Sequence, residues 1–359
     1  MVNVLAKKTR SYNLIAEVWS TNQVDPFLEN NQFAIPVVLR RVEVLAIGGD
    51  RGNGTVIAVK PTTGEQRILQ PFGPTFTGGV RTATADLNGD AEPYIVVGAG
   101  PGGAPLVIIY DGVTGAEIRS FMAFEETFTG GVYVTLGDLS GDGIADLVVT
   151  PDEGGGPRVR IFDGPTGNQI ADFLGIDDPN FRGGARTAIA DINGDGRPDL
   201  IVVAGFGGGP RVAIFDGALL GPDGGPKLLG DFLAFEDTLR NGVYVTAGDI
   251  DGDGFAELIA GGGPGGGPRV SVFDGRDLVA NTLTRDNDFF AGDPNNRGGI
   301  RVSAKNLDDD EFDDIFTGAG TGGGSQVTGY AGAKLRAATV EPLFAFESIA
   351  GFAGGVFVG

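Results

Sequence analysis

Residues 130–164 read GGVYVTLGDLSGDGIADLVVTPDEGGGPRVRIFDG. Val132–Leu136 alternates in type, as a strand with two different faces does. Asp146–Thr150 is a continuous apolar run behind its leading acid, as expected of a strand covered on both faces. Arg158–Phe162 alternates again, and Gln169–Phe173 supplies a fourth strand. Between them lie Ser-Gly-Asp-Gly, Gly-Gly-Gly-Pro and Asp-Gly-Pro-Thr-Gly, all turn chemistry. The pattern returns at 183–217 (GGARTAIADINGDGRPDLIVVAGFGGGPRVAIFDG) and 241–275 (NGVYVTAGDIDGDGFAELIAGGGPGGGPRVSVFDG), with weaker copies from Gly78 and Gly298. Unit starts at 78, 130, 183, 241, 298 and 354 are 52 to 58 residues apart. Four short antiparallel strands repeated at a fixed period predict an all-β propeller.

A linear solenoid is the competing architecture, and the two flanks of the array decide against it. Residues 42–72 match strands two to four of a unit and lack the first. Residues 352–359 (FAGGVFVG) match the first strand alone. Together they make one blade, so the expectation is six four-stranded blades, the sixth closed by strands from opposite ends of residues 41–359. Residues 1–40 do not fit the repeat, contain Trp19, and are read as an extension.

Composition agrees. The 359 residues include 64 Gly and 20 Pro, yet 41% are hydrophobic, enough for a packed core with many tight turns. A net charge of −21 argues against nucleic-acid binding and against docking on anionic membranes. No apolar run is long enough for a membrane span, and none near the start for a signal peptide. Cysteine and histidine are absent. That removes disulfides, thiolate catalysis, the commonest general base and the soft metal ligands. The metal chemistry left is hard-oxygen chemistry.

Nineteen of the 47 acidic residues lie in five nine-residue loops between strands one and two. Loop two offers Asp138, Ser140, Asp142 and Asp146; loop three, Asp191, Asn193, Asp195 and Asp199; loop four, Asp249, Asp251, Asp253 and Glu257. Loop one offers Asp86, Asn88 and Asp90 but has Ala91 at position 6 and Tyr94 at position 9. Loop five offers Asn306, Asp308, Asp310 and Asp314, with Asp309 and Glu311 in the glycine positions. Oxygen side chains at positions 1, 3 and 5 of a tight turn converge, and glycine at 4 and 6 allows the curvature. A carboxylate at position 9 closes the shell, which suits Ca²⁺ better than octahedral Mg²⁺. An EF-hand is excluded, because position 12 is Val149, Val202 or Ala260 and the flanks are strands. Ion-free Asx turns remain the alternative. Three Ca²⁺ sites are expected in loops two to four, and up to five in all.

The motif D-x-[DN]-G-D-G-x-x-D between strands, with GAGPGG at 98–103, resembles the FG-GAP repeats of integrin-α-like calcium-binding propellers and related bacterial proteins. The resemblance covers roughly residues 42–359. It implies Ca²⁺ held by side chains at positions 1, 3, 5 and 9 with the carbonyl at 7, and a role in adhesion or cell-surface interaction.

Three further features are weighed. Arg158, Arg211 and Arg269 recur after Gly-Gly-Gly-Pro, either as an arginine ring or as strand-edge partners of nearby acids. Phe121, Phe124, Phe162, Phe215, Phe232, Phe235 and Phe273 recur at fixed positions and are assigned to the core between blades. The glycine runs 261–267 and 322–324 are not followed by Gly-Lys-Ser/Thr and are not phosphate loops. The expected function is a non-enzymatic binding, adhesion or scaffold module for a protein or glycan partner, with structural Ca²⁺. It is placed outside the cell or on its surface, where millimolar Ca²⁺ saturates sites with Kd of about 10⁻⁵–10⁻⁴ M. The alternatives are a carbohydrate lyase or hydrolase, against which no distinct catalytic cluster stands out between repeats, and a pure spacer.

Overall fold

The computed structural model describes residues 11–17, 32–38, 44–60, 63–306, 310, 312–337 and 339–359. Its chain forms two compact units, Met1–Val42 and Glu43–Gly359. In the first, Ser11–Glu17 and Gln32–Val38 pair antiparallel, Ser11 opposite Val38. Trp19 lies outside the described residues.

The second unit is six sheets of four antiparallel strands arranged as a propeller. Blade two contains Val132–Gly137, Asp146–Pro151, Arg158–Phe162 and Gln169–Leu174, within a residue of the strands expected from sequence. The continuous apolar run does become the strand covered on both faces: all six residues of Asp146–Pro151 are buried, as are those of Asp199–Ala204 and Glu257–Gly262. The first strand of each blade lies innermost and packs against its counterparts in the neighbouring blades. Threonine hydroxyls tie the inner strands to the neighbouring blade: Thr135 Oγ1 donates to Thr187 O of the next inner strand at 3.1 Å, and Thr82 Oγ1 and Thr84 Oγ1 donate to Ala46 O and Val44 O, beside the closing strand, each at 2.9 Å.

Ring closure follows the two partial matches. Val356–Val358 pairs with Leu45–Gly49, Val356 opposite Gly49 and Val358 opposite Ile47, ahead of Val56–Lys60 and Glu65–Leu69. Gly359 and Ala46 exchange two backbone hydrogen bonds of 2.8 and 3.0 Å. Val356, Phe357 and Val358 are buried, and each contributes roughly 1.5–3 kcal/mol by leaving water.

The assigned phenylalanines do pack between blades. Phe121–Phe162 and Phe232–Phe273 are edge-to-face pairs joining one blade's outer strand to the next blade's third strand. The repeat is least regular at the outer edge. In blade three the fourth strand shrinks to Phe232–Leu233, because Gly221, Pro222, Gly224, Gly225 and Pro226 turn the preceding chain and leave no run of free N–H groups to pair. In blades four and five one-turn helices, Gly275–Val279 and Gly332–Arg336, follow the third strand. Asp274 caps the first by accepting from Asp277 N at 2.8 Å. Repeat-based turn assignment does not anticipate either helix. Among the described residues no helix is long and apolar enough to cross a membrane.

Candidate metal loops and the axial ring

The five acidic loops all leave the same end of the inner strands and touch edge to edge. Asp86, Asp191 and Asp249 each accept, through the backbone carbonyl, an N–H from the next blade's loop: Ala145, Ala256 and Asp313, at 3.2, 2.7 and 2.9 Å. The backbone of each complete loop is folded by its own first carboxylate. In loop two Asp138 accepts from Gly141 N (2.5 Å) and Gly143 N (2.8 Å). In loop four Asp249 accepts from Gly252, Asp253 and Gly254 (2.7, 3.1 and 3.1 Å). Glycines at positions 4 and 6 take φ of +78° and +88° in loop two and +77° and +89° in loop four, a region other residues avoid. These are Asx-type turns. Each carboxylate oxygen has two lone pairs; both Asp138 oxygens and Asp249 Oδ2 accept a single N–H and keep capacity for a cation, whereas Asp249 Oδ1 accepts two.

Position 9 has a role the sequence does not disclose. Asp146 is fully buried and accepts from Leu139 N, Ser140 N and Gly164 N at 3.0, 2.7 and 3.2 Å. Asp199 accepts from Ile192 N and Gly217 N, both at 2.9 Å. The closing carboxylate therefore ties its loop to the turn after the third strand. In loop three, Asn193 donates to Asp195 Oδ2 at 3.1 Å and Asp195 N is shared between Asp191 and Asn193.

Among the described residues, three carboxylates converge only in loop four. Oxygens of Asp249, Asp251 and Glu257 lie within 4.8 Å of one another, a group that could hold a metal ion. Asp253 is drawn aside by Arg276, whose Nε lies 2.8 Å from its Oδ2. Burial, reinforced by the charges of Asp251, Asp249 and Asp253, pushes Glu257 up to about 9. Burial likewise raises Asp251, with Asp253 adding, and pushes Asp199 up to about 6. Three acids so close, one of them buried, repel unless a proton or a cation sits among them. An all-oxygen donor set, carboxylate-rich and set in a turn, fits a hard divalent ion.

Loops one and five differ. In loop one Tyr94 stands in place of the closing acid and its hydroxyl lies 2.9 Å from Asn88 Nδ2, which also donates to Asp90. Glu92 is exposed at the rim. Ala91 takes φ +67°, the conformation glycine adopts elsewhere. In loop five Asp308 lies outside the described residues. Asn306 donates to Asp310 O at 2.5 Å, and Asp314, fully buried, accepts from Gly332 N at 3.2 Å.

The arginines after Gly-Gly-Gly-Pro make no ring. Arg158 pairs with Asp172 (2.5 Å) and Glu125, Arg211 with Asp231, and Arg269 with Asp288 (2.5 Å) and Glu236 (2.8 Å), all at the outer rim. A different arginine ring exists at the axis. The second residue of the six inner strands is, in order, Arg81, Tyr133, Arg186, Tyr244, Arg301 and Phe357. Each guanidinium lies over the rings on both sides. Arg81 is 5.1 and 4.7 Å from the Tyr133 and Phe357 centroids, Arg186 5.3 and 4.1 Å from Tyr133 and Tyr244, and Arg301 4.9 and 5.1 Å from Tyr244 and Phe357. Such contacts contribute about 2 kcal/mol each when desolvated. The aromatics also meet edge to face, Phe357 lying 6.0 Å from Tyr133 and 5.8 Å from Tyr244. The signal was present in sequence, but its period is two blades, so aligning single repeats hides it.

A family model described as an FG-GAP-like repeat matches residues 138–202 and 191–260, the segments holding loops two to four. Among solved structures, the chain is similar to the rhamnogalacturonan lyase YesW (16% identity, TM-score 0.41, 85% of this chain and 63% of that one). It is also similar to the Dos1 propeller (14%, 0.45, 88% and 74%) and to the V. cholerae biofilm matrix protein Bap1 (18%, 0.36, 77% and 40%). The chain thus spans less than two thirds of the lyase and of the biofilm protein.

Proposed function

We propose that this six-bladed propeller of FG-GAP repeats is a calcium-stabilised binding or scaffold module, not an enzyme, working at the cell surface or outside the cell. The observation that carries the reading is loop four. Asp249, Asp251 and Glu257 converge within 4.8 Å on a turn whose backbone is already set by Asx hydrogen bonds, so a hard cation meets a preformed oxygen cage. Loops two and three repeat the motif at the same strand phase, which gives three calcium sites. Loops one and five are the weaker candidates for a fourth and fifth. The bound ion would neutralise the clustered acids and cross-link the loop to the strand that begins at position 9. The partner is a protein or a glycan engaged by the faces of the ring.

Isothermal titration of the EGTA-treated chain tests this. Uptake of at least three Ca²⁺, with Mg²⁺ a poor substitute, supports the proposal. A chain that takes up no Ca²⁺ and melts identically with and without it overturns the metal reading. Affinity capture on immobilised glycans and surface proteins, with and without Ca²⁺, tests the binding role separately. Turnover of a polysaccharide by the purified chain would replace that role with an enzymatic one.

A further inference from the structure

The axial ring is symmetric in its cations and asymmetric in its counter-charges. Arg81 donates to Gly78 O (3.2 Å) and to Asp152 (2.5 Å), which lies in the next blade between the second and third strands. Arg301 repeats both bonds with Gly298 O (3.1 Å) and Asp50. The residue occupying that loop position for Arg186 is Gly263. Arg186 instead donates to Val243 O at 2.7 Å, and among the described residues no carboxylate pairs with it. Asp152 acts on it through space but is committed to Arg81.

All three guanidinium groups are buried, at 4, 5 and 3% exposure for Arg81, Arg186 and Arg301, and their acids Asp152 and Asp50 at 2 and 6%. At the level of the second inner-strand residues, three buried guanidinium groups therefore face two buried carboxylates inside a chain that is acidic overall. A buried charge needs a partner, and two aromatic faces with one carbonyl and the Tyr133 hydroxyl, all neutral groups, replace only part of the lost hydration.

The fold also blocks the obvious internal remedy. A Cβ on Gly263 would sit 2.3 Å from Gly242 O and 2.5 Å from Asn241 O. An aspartate is not accommodated there without moving backbone, so the missing negative charge has to come from solution. The space is adjacent. An axial cavity of about 180 Å³ is lined by Arg186, Tyr133, Tyr244, Thr187 and Thr246, among others. That is ample room for a small ion with its waters, since a water needs only about 10–15 Å³ of such volume.

We propose that the propeller axis is a binding site for one small monoanion, a halide or a short carboxylate, held by Arg186 between Tyr133 and Tyr244. It supplies for blade three the charge that Asp152 and Asp50 supply for blades one and five. The guanidinium is weakly hydrated, so chloride, bromide or acetate suits it better than strongly hydrated fluoride. The site is separate from the acidic loops and does not depend on their metal.

The test uses the full chain in saturating Ca²⁺. Crystals grown in bromide should show an anomalous bromine peak at Arg186 on the axis. In solution, ³⁵Cl resonance broadening by the protein should saturate, and bromide should displace it. Displacement by acetate would identify a carboxylate as an equivalent occupant; failure of acetate to compete would identify a halide site. Arg186→Met should abolish saturable broadening. If that variant does not fold, the competed broadening and the bromine position in the unmodified chain still decide. Broadening that rises linearly with no competition, together with no bromine peak at Arg186, overturns the proposal. So does saturable broadening that persists unchanged in a folded Arg186→Met.

Discussion

Loops one and four occupy the same place in their blades and share nearly the same backbone. Asp86 accepts from Asn88, Gly89 and Ala91, much as Asp249 accepts from Gly252, Asp253 and Gly254. They part at position 9. Loop four ends in Glu257, buried at 2% exposure beside two further acids, whereas loop one ends in Tyr94 hydrogen-bonded to Asn88. The turn is thus a property of the Asx bonds and the positive-φ positions, and on the calcium reading proposed above the closing residue would set metal affinity. A turn without an acid at position 9 is a stable piece of propeller in its own right.

The strongest way to break that contrast is to remove calcium. EGTA should lower the melting temperature by an amount equivalent to about 2.7 kcal/mol for each site held at 100 times its Kd. Amide hydrogen exchange should speed up in loops two to four and stay unchanged in loop one. Equal acceleration in loop one would mean that Tyr94 does not abolish the site.

Glu257→Gln separates turn support from ion binding, because the amide oxygen still accepts from Ile250 N, a bond of 2.9 Å in the parent. Calcium-dependent stability should fall by about 2–3 kcal/mol, the value of one site. Without calcium the order reverses. An acid whose folded pKa lies near 9, above its unfolded value, costs stability as pH rises from about 4.5 through 9. The calcium-free parent should therefore lose stability across that window, and Glu257→Gln should flatten the profile. Identical pH profiles would dismiss the buried-acid account.

Asp195→Ala should cost more calcium-dependent stability than Asp90→Ala, since Asp199 closes loop three and no acid closes loop one. Calorimetry in saturating Ca²⁺ compares them, and equal losses would count against the motif. The smallest effect is Ala91→Gly. It relieves a residue at φ +67° and should stabilise by up to about 1 kcal/mol, with or without calcium. A destabilised variant would show that Ala91 carries no strain.

The blade count and ring closure were legible because the apolar runs at 146–150 and 199–204 fix the second strands, and because 42–72 and 352–359 complement each other. Where the repeat is interrupted, legibility ends: the segment between Phe215 and Phe232 and the helix capped by Asp274 answer to local glycine, proline and capping chemistry. In the loops, the positions of the oxygen-bearing residues could be read. That Asp146 and Asp199 spend lone pairs on backbone N–H groups 18 residues away, at Gly164 and Gly217, could not. Nor does any single repeat show that its Arg or Tyr belongs to a ring alternating every second blade.

The strand that closes the ring also sets how the molecule bears load. Residue 44 leads into Leu45–Gly49 and residue 359 leads out of Val356–Val358, side by side at the same end of an antiparallel ladder. Tension between those two points would act across the ladder and open its bonds one after another, beginning with the Ala46–Gly359 pair. The clasp is therefore a zipper under pull rather than a shear joint. The seam is therefore the part of the ring that tension between those two points would open first.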